Sequence, residues 1–344
     1  MMKKIYKLFL LAVFLLLFFY STFEIIAFIL LSIRRDPAIQ AVPDYAGGIS
    51  YKANKLIKLI GYEGSLYTDN YGFVHNGKID RKIKKNDIFI FGGSTLEGIG
   101  SSTNSKTIPA LIEKCLLSKK INNQVINIGH AGDYSLQQKS RLFHRVLVDF
   151  KPSLVIFFDG RNDAHYSTSF RYLPFSANQS LWGQSTKTEF KDVQPKLFNN
   201  LSILRRRVIR KLNFNDKEAL NEKSYTDNLD INKNTNMAVS NYHKIGDQVN
   251  NQLSSLDIKF MRILQPTLIR SNKIKTNDEK QYIRSFLSFK NKSFSTEKYS
   301  DIVKSFYLKV KKIKRNYLYD LSDIFEERED TLYSDSVHYN DKSN

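Results

Sequence analysis

Residues 87–95 read DIFIFGGST. The apolar run Ile88–Phe91 is too short for a helix, and Asp87 and the pair Gly92-Gly93 bound it. That pattern marks a fully buried strand over Asp87–Phe91. The glycines permit a tight turn, and Ser94 then stands at a strand-to-loop junction with its hydroxyl exposed. The same signal recurs at 124–128 (QVINI), 154–158 (LVIFF), 258–264 (IKFMRIL, halted by Pro266) and 317–321. Helical patterns fill 108–117, 136–150 and 299–313 between them. Strands separated by helices imply parallel pairing through crossovers, so the expected fold is an α/β sandwich.

The chain opens with an apolar run from Leu8 to Ile33, interrupted by Glu24. About 20 apolar residues suffice to cross a bilayer. The run is too long for the core of a cleaved signal peptide, and no small-x-small site follows it. An uncleaved signal anchor over 1–35 is therefore expected. Lys3, Lys4 and Lys7 outweigh Arg34 and Arg35, which keeps the N-terminus in the cytoplasm and puts the body of the chain outside. A tether and lead-in segment follows over 36–85, then one domain over 86–344. Residues 165–235 break its rhythm as a polar insertion with one clear helix, 201–212, whose remainder is largely basic.

The net charge of +19 is spread among Asn and Ile residues, with no Arg/aromatic motif of a nucleic-acid module. An anionic membrane surface or acidic glycan suits it better. With one cysteine, neither an intramolecular disulfide nor a Cys-based zinc cluster is possible. Cys115 lies in an apolar helical pattern and is expected to be a small core residue.

The ends of successive strands carry the chemistry, as expected of parallel α/β sheets. The first ends in GGSTLEG with Ser94, which alone fits a phosphate loop or a plain turn equally well. The second ends in HAGDYS, where Gly132 offers a bare backbone N–H. The third ends in DGRNDA with Asn162 at the rim. Near the C-terminus, DSVH supplies Asp335 and His338, the only histidine with an Asp three residues before it. At that spacing a carboxylate can orient the imidazole, so Ser94, His338 and Asp335 form a nucleophile, base and orienting acid. Ser94 N–H, Gly132 N–H and the Asn162 amide supply three oxyanion donors. His130 and His165 are expected to play ordinary loop roles, and Asp163 to brace its loop.

These four blocks, in this order, resemble those of the SGNH (GDSL-like) hydrolase superfamily over roughly 86–163 and 258–340. Block one has Gly93 where the family's name-giving motif has Asp. NYGF (70–73) and LQPTL (264–268) look like elements of envelope-anchored members. The resemblance implies a flavodoxin-like three-layer α/β/α sandwich with a parallel sheet, acting without metal or cofactor. It also implies an ester hydrolase or O-acyltransferase, with an acylated glycan or lipid as substrate. A lysophospholipase, or an inactive glycan-binding or scaffold protein on the same fold, would share most of these features.

Overall fold

A computed structural model describes residues 2–33, 41–44, 48–51, 53–58, 64–77, 82–167, 231–290 and 296–344. The expected helix at 201–212 and most of the polar insertion lie outside these residues. In the described parts, α1 (Met2–Ile33) is followed by two short antiparallel pairs, β1 (Ala41–Asp44) with β2 (Gly48–Tyr51) and β3 (Leu56–Lys58) with β4 (Ser65–Tyr67). Then come β5 (Ile88–Gly92), α2 (Ser94–Glu97), α3 (Ile108–Ser118), β6 (Val125–Gly129) and α4 (Ser135–Arg141), which runs on through a π turn at Leu142–Val146. After these come β7 (Leu154–Asp159), α5 (Arg161–Ser167), α6 (Ile231–Ser254), β8 (Lys259–Leu264), α7 (Asn277–Lys290), α8 (Thr296–Lys312) and β9 (Leu318–Asp320).

Strands β5 to β9 form one sheet in the order β6-β5-β7-β8-β9, every pair parallel. This is the flavodoxin-like order, in which the chain leaves β5 to one side for β6 and to the other for β7. Alternate side chains of each strand point to opposite faces. Phe89, Phe91, Ile126, Ile128, Val155 and Phe157 pack against Leu142, Val146 and the α6 residues Ile245, Val249 and Leu253. Ile88, Ile90, Val125, Ile156 and Phe158 face the other way, against α3, α7 and the C-terminal residues Leu332, Tyr333 and Tyr339. Each fully buried Phe of this kind stabilises the fold by about 1.5–3 kcal/mol. A third cluster joins α5, α6 and α8 through Ala164, Tyr242, Val303 and Phe306.

The expected strands and the helices α3, α4 and α8 lie where the sequence put them, within a few residues at each end. Cys115 is a correction: it is exposed. Helix α3 turns Ile108, Ile112 and Leu116 to the sheet, a four-residue spacing that leaves position 115 off the buried stripe.

The lead-in residues rest on the edge of the sheet. Val74 bridges Asn127 of β6, and the Asn104 side chain bonds the Tyr67 and His75 backbone at 2.6–2.9 Å. Ile57, Leu66 and Val74 form a small core against which Tyr51 and Ile99 pack. In α1, Leu10–Ala27 is long and apolar enough to cross a membrane, with a mean hydropathy of 2.3. Glu24 within it takes a hydrogen bond from the Tyr20 hydroxyl, one turn earlier, which lowers the cost of a carboxyl in an apolar helix.

Candidate active site

Register places three strand ends at one level: Gly92 of β5 lies opposite Gly129 of β6 and Phe158 of β7. From the first end, Gly93 is extended (φ −83°, ψ −158°) and the chain turns at once into α2, which starts at Ser94. The Glu97 amide closes that turn on the Gly93 carbonyl at 3.0 Å. From the second end, the His130 amide bonds the Gly92 carbonyl at 3.0 Å, and Gly132 takes a left-handed φ of +82°. Glycine adopts that angle without strain, where any other residue would resist it. From the third end, Asn162 sits in the first turn of α5 and donates from Nδ2 to the Asp133 carbonyl at 2.7 Å. That bond uses one amide hydrogen and leaves a second.

The C-terminal loop reaches the same place from the far side of the sheet order. A Tyr333–Tyr339 bridge closes it, and Tyr339 donates to the Pro266 carbonyl at 2.7 Å. The buried Glu279, paired with Lys273 at 2.8 Å, accepts the Leu332 amide at 3.0 Å and anchors the start of the loop. At its tip, Asp335 Oδ1 accepts the Val337 and His338 amides at 2.6 and 2.7 Å, a tight Asx turn. Asp335 Oδ2 is 2.6 Å from His338 Nδ1, and His338 Nε2 is 2.7 Å from Ser94 Oγ. A carboxylate can only accept, so Nδ1 carries the proton and Nε2 is left to accept from the Ser94 hydroxyl. Asp341 takes bonds from the Ser102 amide and hydroxyl at 2.9 and 2.5 Å, which ties the tail to the loop after α2.

Gly93 is where the Ser94 turn and the Asn162 amide meet. A Cβ there would lie 2.5 Å from Asn162 Nδ2 and 3.3 Å from the Asp133 carbonyl oxygen. Gly93→Ala is therefore expected to displace the amide rather than unfold the sheet. With Asn162 in the oxyanion role expected of it, the result is a kcat lowered by about 10²-fold, the usual effect of losing one such donor, with the circular dichroism spectrum unchanged. A variant that turns over at the wild-type rate would show that the amide has no part in the reaction.

Charges beneath the rim hold it in place. Asp163 accepts from the Ser135 hydroxyl and, at 3.3 Å, from the Ser135 amide, bracing the start of α4. Burial, followed by repulsion from Asp159, pushes Asp163 up to about 6. Asp159 itself is gripped by Arg262 and by the Tyr242 hydroxyl at 2.8 Å. Asp133, next to Gly132, is paired with Arg141 at 2.5 Å. His165 bonds the Tyr299 hydroxyl at 2.8 Å, while the His130 ring stacks on Tyr51. Three of the groups around the rim, Arg262, Glu97 and Tyr51, were not singled out from the sequence. For Arg262 there was a signal, since an arginine inside a buried parallel strand needs a buried partner.

A profile of the GDSL-like lipase/acylhydrolase family matches residues 88–344. The chain belongs to that family. This GDSL-like hydrolase is thus an ester-cleaving enzyme on the SGNH fold. No curated protein sequence matches the hydrolase. Among solved structures it is similar to the acetyl xylan esterase AlAXEase (16% identity over 74% of this chain and 92% of that one, TM-score 0.35). It is also similar to Axe2, an acetylxylan esterase from Geobacillus stearothermophilus (13%, 77% and 91%, TM-score 0.33). The SGNH-hydrolase family esterase AlinE4 matches over a shorter stretch (26%, 37% and 57%, TM-score 0.23). The substrates in those names belong to those proteins.

Proposed function

We propose that this GDSL-like hydrolase uses Ser94 as nucleophile, His338 as general base and Asp335 as the orienting acid, and that it acts on O-acyl esters of envelope glycans from the outer side of a bacterial inner membrane. The observation that carries the reading is the imidazole of His338 bridging Ser94 Oγ at 2.7 Å and Asp335 at 2.6 Å. Ser94 Oγ attacks the ester carbonyl while its proton passes to Nε2. Ser94 N–H, Gly132 N–H and the free hydrogen of the Asn162 amide receive the oxyanion. The imidazolium then protonates the departing alkoxide, leaving an acyl-Ser94. Water completes hydrolysis, or a sugar hydroxyl completes transfer, with His338 again taking the proton.

The charge of +19 favours a polyanionic partner, and an apolar first helix would hold the domain near the membrane. Acetyl is the acyl group we assign. The assembled nucleophile and base count against an inactive scaffold. A fluorophosphonate probe is expected to label the wild type and fail to label Ser94→Ala, read by intact mass. Equal labelling of both would remove Ser94 from the mechanism. Incubation with acetylated glycan, with and without an unacetylated acceptor, separates hydrolysis from transfer. Activity on lysophospholipid vesicles alone would move the substrate to lipid.

A further inference from the structure

Glu97 ends α2, three residues after the nucleophile turn begins, and its side chain is 0% exposed. Neither carboxylate oxygen has a full hydrogen bond. The carboxyl faces the Tyr51 hydroxyl and the Ala131 backbone amide, in contacts short of ideal hydrogen-bond geometry, with Asp133 and Arg141 beyond them. A buried acid without a full partner is costly, and an apolar residue would avoid that cost. Groups kept at such cost beside a reactive centre are candidates for a working role.

Tyr51 ends β2, outside the segment 88–344 that carries the family match. Its ring stacks on the His130 ring, with centroids 5.4 Å apart and planes at 26°. It packs on the core of the lead-in residues, which also touches Ile99. Tyr51 thus contacts residue 130 and Glu97 faces residue 131, the two positions before Gly132. Asn127 adds to the hold: its side chain donates to the Leu96 carbonyl at 3.1 Å and accepts the Gly129 amide at 2.8 Å.

We infer that Glu97 and Tyr51 are positioning residues that fix the backbone of 130–131, so that the next amide, Gly132 N–H, is aimed at the oxyanion. The inference rests on the reading of Gly132 as an oxyanion donor. It makes a residue of the lead-in hairpin part of the machinery, so turnover depends on that hairpin being docked.

The arrangement also titrates. Burial raises Glu97 to about 7, Asp133 adds to the rise, and the Tyr51 hydroxyl, the Ala131 amide and Arg141 oppose it. The charged and titratable groups facing it are Tyr51 from β2, Asp133 with His130 from the loop, and Arg141 from α4. The ionised carboxyl presents both oxygens as acceptors toward Tyr51 and Ala131. Once protonated it loses part of that capacity, so the hold on the loop weakens as pH falls.

The test uses the full chain in detergent with p-nitrophenyl acetate, comparing wild type, Glu97→Gln and Tyr51→Phe from about pH 5 to about pH 9. Each variant is expected to lower kcat about tenfold, typical of a lost outer-shell contact, with KM little changed. The double variant is expected to lose less than the product of the two single losses, because the residues act as one unit. The acid limb of the wild-type kcat profile is expected to contain an ionisation that Glu97→Gln lacks. Thermal unfolding reads the titration without activity. The folded state keeps the Glu97 proton at pH values where the unfolded state has lost it, so wild-type stability relative to Glu97→Gln falls as pH rises from about 4.5 to about 7.

If Ser94 labels and turns over normally while both variants match the wild type in kcat and pH profile, the positioning role is overturned and the triad stands. If the wild type itself neither labels at Ser94 nor hydrolyses, the triad reading falls and this inference falls with it.

Discussion

His338→Ala is expected to lower kcat by about 10⁴–10⁶-fold with KM within a few fold of wild type, because the variant keeps the binding surface and loses the proton acceptor. A serine hydroxyl is a weak nucleophile at neutral pH, and in the proposed mechanism the acceptor 2.7 Å away makes its attack feasible. Residual turnover is expected to come from the oxyanion donors, which the substitution does not touch. Asp335→Asn should cost less, about 10⁴-fold, by favouring the wrong imidazole tautomer. Asn retains an oxygen for the Val337 and His338 amides, so the loop should keep its shape, whereas Asp335→Ala would also release the Asx turn. Steady-state rates with p-nitrophenyl acetate decide the matter. A His338→Ala enzyme within tenfold of wild type would mean that some other group takes the proton.

Arg262→Met is expected to destabilise the protein by about 3–5 kcal/mol, the cost of leaving a buried carboxylate without its counter-ion. Both partners are 1% exposed at the side chain, and the guanidinium donates to the two oxygens of Asp159 at 3.1 and 2.7 Å. The Arg262 guanidinium also lies over the Tyr242 ring, 3.3 Å from its centroid. Burial works against the charge on Arg262, and Asp159 more than offsets it, so its pKa is raised rather than lowered. The double variant Arg262→Met with Asp159→Asn is expected to recover part of the loss, because position 159 then no longer carries a buried charge without its counter-ion. Urea unfolding followed by circular dichroism measures both. A single variant within about 1 kcal/mol of wild type would show that water reaches Asp159.

The strands were legible because each is a short apolar run stopped by Asp, Gly or Pro, a pattern that survives in any parallel sheet. Helices α6 and α7 were not read. Helix α6 is rich in Asn, which favours turns, so its apolar residues at 238, 242, 245, 249 and 253 are thinly spaced through polar sequence. Its helix is settled by packing on the sheet rather than by propensity. For the site, spacing alone joined Asp335 to His338, and the order of the blocks suggested Ser94, Gly132 and Asn162. Glu97 gave no such cue, since an acid in an STLEG turn looks solvated. It is covered by β6 at Gly129 and faces Tyr51, the latter a contact between segments 46 residues apart in a part of the chain with no strong periodicity. Cys115 was misplaced for the opposite reason: its neighbours are apolar, but the buried stripe of α3 passes beside it.

Ser94 and His338 are separated by 244 positions. A chain made from its N-terminus can assemble β5, β6 and β7 and set the serine at their rim well before the imidazole has been synthesised. On the proposed mechanism, the nascent enzyme holds an unactivated serine until Asp335 and His338 have been made, so it does not attack esters before then. Turnover is then a late signal in the life of the molecule, one that registers docking of the DSVH loop rather than formation of the sheet.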